Sequence, residues 1–219
     1  PYRVAVSHLH DDGFEMDSDL ELSSHTIRIS YATLYECIVY SIQYEWSTLL
    51  LYNMLHGNIG FCEYIYSKSD VDTLVVPLLH ILYEQSSNKN NHVYMVLILL
   101  LILSQDISFN EHIHKRLILN KVSWFKESIL TNISLGSLMM IILVRTIHLN
   151  LSKLRDPYLH TNCLATLANM SPHCHNMHPY CAQRIVQLLE VLSKKYVKLT
   201  TNYEQEKKHV KSSYLSSSI

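Results

Sequence analysis

Residues 154–171, LRDPYLHTNCLATLANMS, constrain the fold of this chain more than any other stretch. Asp156 is a good N-cap, and Pro157 suits the first helical position, where no backbone donor is missed. Leu159, Cys163, Leu167 and Met170 then recur at helical spacing, with Leu164 and Ala168 widening the apolar stripe. Thr161, Ala165 and Ala168 are short enough to let a neighbouring helix approach closely. Ser171-Pro172 closes the unit, because a residue before proline is biased away from the helical region. A short, capped helix with such a face is built to be sandwiched between other helices. It points to a stacked helical protein rather than to an active site.

The rest of the chain repeats this rhythm. Apolar periodicity predicts helices near 30–41, 45–56, 58–67, 70–86, 91–104, 108–120, 134–151, 156–171 and 179–203. Breaks fall at Gly57-Asn58, Ser86-Ser87-Asn88, Gln105-Asp106, Ser152-Lys153 and Ser171-Pro172. The connections are short, so successive helices should pack antiparallel on their neighbours. Residues 121–133, with Trp124 and Phe125, read as a short helix or an ordered loop. Only 4 Gly and 5 Pro are present, too few for the turns of an all-β or Rossmann-type chain. The expected fold is all-α, an α-solenoid-like array of antiparallel helices. One helix pair per roughly 35–45 residues lies in the armadillo or HEAT range, although no repeat signature recurs in the sequence. Its organisation reads as a polar, acidic lead-in over 1–27, a helical array over 28–203, and a disordered Ser/Lys-rich tail over 204–219.

Hydropathy leaves two readings. Apolar residues make up 48% and charged residues 17%, which suits a greasy soluble protein or a membrane protein. The runs 93–103 and 138–144 are strongly apolar, yet both are shorter than the roughly 20 residues that span a bilayer. They fit central helices of a soluble array. The alternative is an integral membrane protein using 91–104 and 134–151 as spans.

Charge argues against a nucleic-acid surface, since the net charge is -1. Residues 1–21 carry six acids against Arg3, and 194–211 carry six Lys against Glu204 and Glu206. Both stretches read as solvated, with an anionic membrane or acidic partner as the alternative for the basic one. The five cysteines, an odd number set mostly in apolar helical segments, fit free buried thiols in a reducing compartment. Asn132, Asn150 and Asn169 each begin a glycosylation-like triplet within or beside packed helices, which reads as chance. The chain begins at Pro1 and is read as a fragment, so any upstream targeting signal lies outside it.

Candidate chemistry is sparse. His160, Cys163, His173, Cys174, His175, His178 and Cys181 are zinc-type ligands, but they lack paired zinc spacing and Cys163 belongs to an apolar stripe. His8, His10 and Asp12 form the H-x-H-x-D of binuclear metallohydrolases without the strand context that chemistry needs. His112 and His114 stand at i, i+2 and do not face one another, as on a solvated helix face. No nucleophile elbow, phosphate loop or dinucleotide fingerprint occurs, and no cofactor is expected. Asn162 and Asn169, seven residues apart, are the candidate protein-binding residues, a polar ladder of the kind armadillo grooves use on a partner's backbone. The alternative is a solvated Asn162 and a helix-end Asn169.

Longer segments carry a resemblance. YLHTNCLATLANMS (158–171) followed by AQRIVQLLEVLSKKY (182–196) resembles the dymeclin family. So do TLLLYNMLHGN (48–58), HVYMVLILLLILSQD (92–106) and ISLGSLMMIILVRTI (133–147), in the family's order and spacing. The resemblance implies a non-enzymatic, peripheral protein of the cytoplasmic face of the Golgi apparatus, acting in Golgi organisation and vesicle traffic. Its partners would be other proteins and the Golgi membrane surface. It also implies an internal piece of a larger protein, whose members can be attached through a myristoylated N-terminal glycine. The family pattern lacks most of the His/Cys set around 173–181 and has no catalytic residues to carry over. Leu97, Leu100, Leu101, Leu138, Ile141, Leu164 and Leu167 are the expected stacked core.

Overall fold

The computed structural model describes residues 2–13, 27–85, 90–115 and 118–216. These form a mostly helical protein with two small β pairs, divided into the units Pro1–His178 and Pro179–Ile219. The first unit runs α1 (Tyr2–Ser7), β1 (Leu9–Asp11), β2 (Ile27–Ile29), α2 (Tyr31–Ser41), α3 (Glu45–Gly57), α4 (Ile59–Ser67) and α5 (Asp72–Gln85). It continues with α6 (Asn91–Leu103), α7 (Ile107–Lys115), β3 (Ile118–Lys121), β4 (Thr131–Ser134), α8 (Leu135–Leu149) and α9 (Pro157–Met170). The second unit is one helix, α10 (Pro179–Ser216), continuous over 204–216, positions that composition assigns to the tail.

Short polar side chains start these helices by accepting backbone N–H groups that have no intrahelical partner. Ser30 accepts from Thr33 N, Asn58 from Phe61 N, Asn90 from His92 N and Ser134 from Ser137 N. Asp156 accepts from Tyr158 N and Leu159 N with Pro157 at the first position, as the sequence reading requires. α6 and α8, apolar nearly all round, are the central helices, and Leu135–Val144 is buried without interruption. Among the described residues one helical stretch, Leu135–Leu154, is long and apolar enough to cross a membrane. Its length is 20 residues, and 72% of its apolar window is buried within the protein. α7 turns away from α6 by 97°.

Neighbours in sequence pack together, as α2–α3, α3–α4, α7–α8 and α8–α9 do. A second pattern is superposed, in which four helices also pack on the third one after them: α2 on α5, α3 on α6, α5 on α8 and α6 on α9. Tyr66 of α4 meets Phe109 of α7 with ring centroids 6.5 Å apart.

Three sequence expectations change. The helix expected over 108–120 ends at Lys115, and 118–134 forms a hairpin in which Ile118 pairs Ser134, Leu119 pairs Ile133 and Lys121 pairs Thr131. β-Branched Ile118, Thr131 and Ile133 favour extended backbone, and Ser134 ends the strand as it caps α8. Asn132 takes φ 51°, a conformation Asn tolerates better than most residues. Residues 2–11, read as lead-in, pack on the helices: α1 lies against α3 with Val6 buried, and β1 pairs in parallel with β2. Finally, Leu164 is 42% exposed, whereas Leu97, Leu100, Leu138 and Ile141 are core as expected. Leu101 and Leu167 are half-buried. The inward stripe of α9 is Leu159, Asn162, Cys163, Thr166 and Met170, so two polar residues replace leucines on its packed face.

Candidate functional site

Neither candidate asparagine is an exposed side chain. Asn162 is buried, and its amide donates to Tyr158 O at 2.8 Å, while Thr166 Oγ1 donates to Asn162 O at 2.8 Å. Asn169 is half-buried and donates to Ser104 Oγ at 3.1 Å, tying α9 to the end of α6.

Asn58, read in the sequence as a break, and Asn150, read as the start of a chance glycosylation triplet, turn out to be junctions. Asn58, 4% exposed, donates to Val6 O at 2.9 Å and Leu9 O at 2.8 Å and accepts from Phe61 N at 2.8 Å. The Tyr31 hydroxyl donates to Leu9 O at 2.8 Å and lies 3.0 Å from Asn58 Oδ1, so α1, β1, α2 and α4 meet on one amide. Asn150 closes the connection to α9 in the same manner. After α8 the helix widens into a π turn over Asn150–Leu154, which ends on Arg155 at φ 52°. Asp156, held by Asn150, also accepts a hydrogen bond from the Tyr94 hydroxyl. A polar residue beside a helix break was the available signal for both.

The metal-type residues are distributed otherwise than their sequence crowding suggests. Among the described residues no group of three His, Cys, Asp or Glu side chains is placed to hold a metal ion. Cys163 is buried in the α9 stripe, and burial pushes its thiol well up. In the H-x-H-x-D run, Asp11 does the structural work: it accepts from Tyr31 N at 2.9 Å at the start of α2. His8 and His10 are exposed, and β1 does supply a strand, of three residues.

His114 corrects the solvated-face reading. Residues at i, i+2 point to different sides of a helix, and the side His114 occupies faces inward. Its exposure is 5%, and its ring lies against the first turn of α8, where only glycine fits. A Cβ at Gly136 would stand 2.4 Å from His114 Nδ1. Burial, reinforced by His173 and His175, drops its pKa to about 4, so the ring is neutral at neutral pH. Its Nε2 lies 3.8 Å from Cys174 Sγ, which in turn lies 3.4 Å from Met140 Sδ and 3.5 Å from Met170 O. Of the His/Cys set singled out in sequence, Cys174 is brought to an imidazole nitrogen, and that nitrogen comes from α7.

Set against known proteins, the whole chain, residues 1–219, matches the family described as Dymeclin: Dyggve-Melchior-Clausen syndrome protein. The chain belongs to the dymeclin family. It is 46% identical over 200 residues to the dymeclin of Dictyostelium discoideum, covering 91% of this chain and 21% of that protein. Against the dymeclin of Mus musculus the figures are 45% over 201 residues, 91% and 29%. For that of Rattus norvegicus they are 42% over 221 residues, 100% and 32%. The chain thus spans between about a fifth and a third of these dymeclins' length. No solved structure matches it.

Proposed function

We propose that this chain is a segment of a non-enzymatic dymeclin scaffold that works in Golgi organisation and vesicle traffic from the cytoplasmic face of the Golgi membrane. The match to the dymeclin family over the full chain is the observation that carries this reading. The packing of α2 on α5, α3 on α6, α5 on α8 and α6 on α9 is how a three-helix repeat stacks, and it supports an armadillo-like solenoid. The step from Glu45 of α3 to Asn91 of α6 falls in the range of about 40–47 residues for such repeats. The step from α5 to α8 is longer because the β3–β4 hairpin is inserted within it. Asn162 and Asn169 enter this reading as polar ties inside the array, and partner proteins bind other faces.

Proximity labelling by the full-length protein tests the reading, with neighbours expected in the early secretory pathway. Neighbours drawn from elsewhere would remove the trafficking role. Peripheral attachment, through an upstream lipid anchor of the myristoyl type, predicts release of the protein from membranes by carbonate. Retention would favour Leu135–Leu154 as a span.

A further inference from the structure

Outside the scaffold reading, one cluster has the chemistry of a ligand site. We propose that Cys174, Met140 and His114 bind a soft monovalent metal ion, copper(I), in a trigonal arrangement of thiolate, thioether and imidazole.

The donor set selects the metal. Thiolate and thioether together are the ligands of copper(I), whereas zinc takes thiolate, imidazole and carboxylate and wants four of them. No third His, Cys, Asp or Glu side chain completes a zinc set here among the described residues. Spacing agrees as well. Bonds of about 2.3 Å to sulfur and 2.0 Å to imidazole nitrogen place those two donors about 3.7 Å apart around a trigonal centre. The Cys174 Sγ to His114 Nε2 distance is 3.8 Å. The two sulfurs, at 3.4 Å, have to open by about 0.6 Å, which the unbranched methionine chain allows by rotation.

Each ligand is held by a different element, so the site depends on the fold. His114 comes from the end of α7, Met140 from α8, and Cys174 from the turn after α9. Gly136, one helical turn before Met140, gives the imidazole its seat. An imidazole whose proton is on Nδ1 offers a lone pair at Nε2, the nitrogen that faces Cys174. Cys174 is half-buried, which leaves a way in for a metal donor. Binding displaces the Cys174 thiol proton to solvent and leaves the metal's oxidation state unchanged.

The test is an anaerobic copper(I) titration of the full chain against a bicinchoninate competitor. One equivalent should leave the competitor, none should do so for Cys174→Ser, and Met140→Leu should bind at least about tenfold more weakly. Cys62→Ser should bind like the parent. Circular dichroism establishes that each variant is folded. An independent readout uses the unsubstituted protein: copper(I) should shield Cys174 from iodoacetamide while exposed Cys37 still reacts. X-ray absorption should show mixed sulfur and nitrogen ligation. Undiminished stoichiometry in folded Cys174→Ser, parent-like affinity in Met140→Leu, unshielded Cys174, or tighter binding of zinc(II) than of copper(I) would each overturn the proposal.

Discussion

Asn150 grips the Asp156 peptide from both sides: its Nδ2 donates to Asp156 O at 2.7 Å, and its Oδ1 accepts from Asp156 N at 2.8 Å. Its main-chain oxygen also accepts from Arg155 N at 2.8 Å, so one fully buried residue fixes the whole passage from α8 to α9. Asn150→Ala strands a donor and an acceptor in the interior, at about 1–3 kcal/mol each when nothing replaces the partner. The expected loss is about 2–4 kcal/mol in urea unfolding. Asn150→Asp keeps the shape but cannot donate to Asp156 O, and should be no better than alanine. A loss below about 0.5 kcal/mol for either variant would show that the clamp is dispensable.

Asn58 gathers the chain's first elements in a similar manner, but its failure should be local. Val6 O, Leu9 O and Phe61 N all depend on its amide. Asn58→Ala should therefore release residues 2–11 while α6 and α8 stay closed. Amide hydrogen exchange followed by mass spectrometry reads this directly, since local opening and global unfolding protect different segments. Equal loss of protection in α8 would contradict a local role.

Gly136→Ala reverses the usual preference of a helix for alanine, which is worth about 1 kcal/mol. The new Cβ would sit 2.4 Å from the ring of His114, itself wedged between α7 and α8. A destabilisation of roughly 1–3 kcal/mol follows from such overpacking. In a His114→Ala background the ring is gone, and the same change should become neutral or favourable. The sign reversal, measured as a double-mutant cycle by thermal unfolding, is the diagnostic result.

Leu97 and Leu164 separate what periodicity predicts from what packing decides. Leu97 is fully buried and Leu164 is 42% exposed, although both lie in apolar helical stripes. Leu97→Ala should cost about 2–5 kcal/mol. Leu164→Ala should stay within about 0.5 kcal/mol. Similar losses by chemical denaturation would mean that α9 packs with its sequence-expected face inward.

The helices, their caps and the central place of α6 and α8 were legible because local rules determine them: Asp156-Pro157 begins a helix wherever it is, and an apolar run has to be covered. The rotation of α9 was not legible. Asn162 and Thr166 satisfy their polarity by bonding back to or along their own helix, so they can face inward where Leu164 was expected. The hairpin at 118–134 was hidden because a weak helical pattern and a short strand look alike over so few residues. The junctions at Asn58 and Asn150 depend on atoms distant in sequence or on a turn geometry that no pattern encodes. His114 was misjudged for the same reason, since its partners, Gly136 and Cys174, lie on elements that only folding brings to it.

His114 also makes stability depend on pH in a direction that can be fixed in advance. Burial, with His173 and His175 adding like charge, lowers its folded pKa from 6.5 to about 4. The native state therefore resists a proton that the unfolded chain accepts readily below pH 6.5. Its contribution is fully present above that value and diminishes as pH falls towards 4, by up to about 1.4 kcal/mol per pH unit. From pH 7 to pH 5 the loss from this one residue should be on the order of 1–2 kcal/mol. Urea unfolding at the two pH values measures it, with His114→Phe as the non-titrating reference. The difference between the two proteins isolates His114 from other acid-sensitive groups, and it should shrink at pH 7, where the ring is neutral in both states. A parent protein whose stability falls no faster than that of the variant would show that the ring is reached by solvent in the folded state.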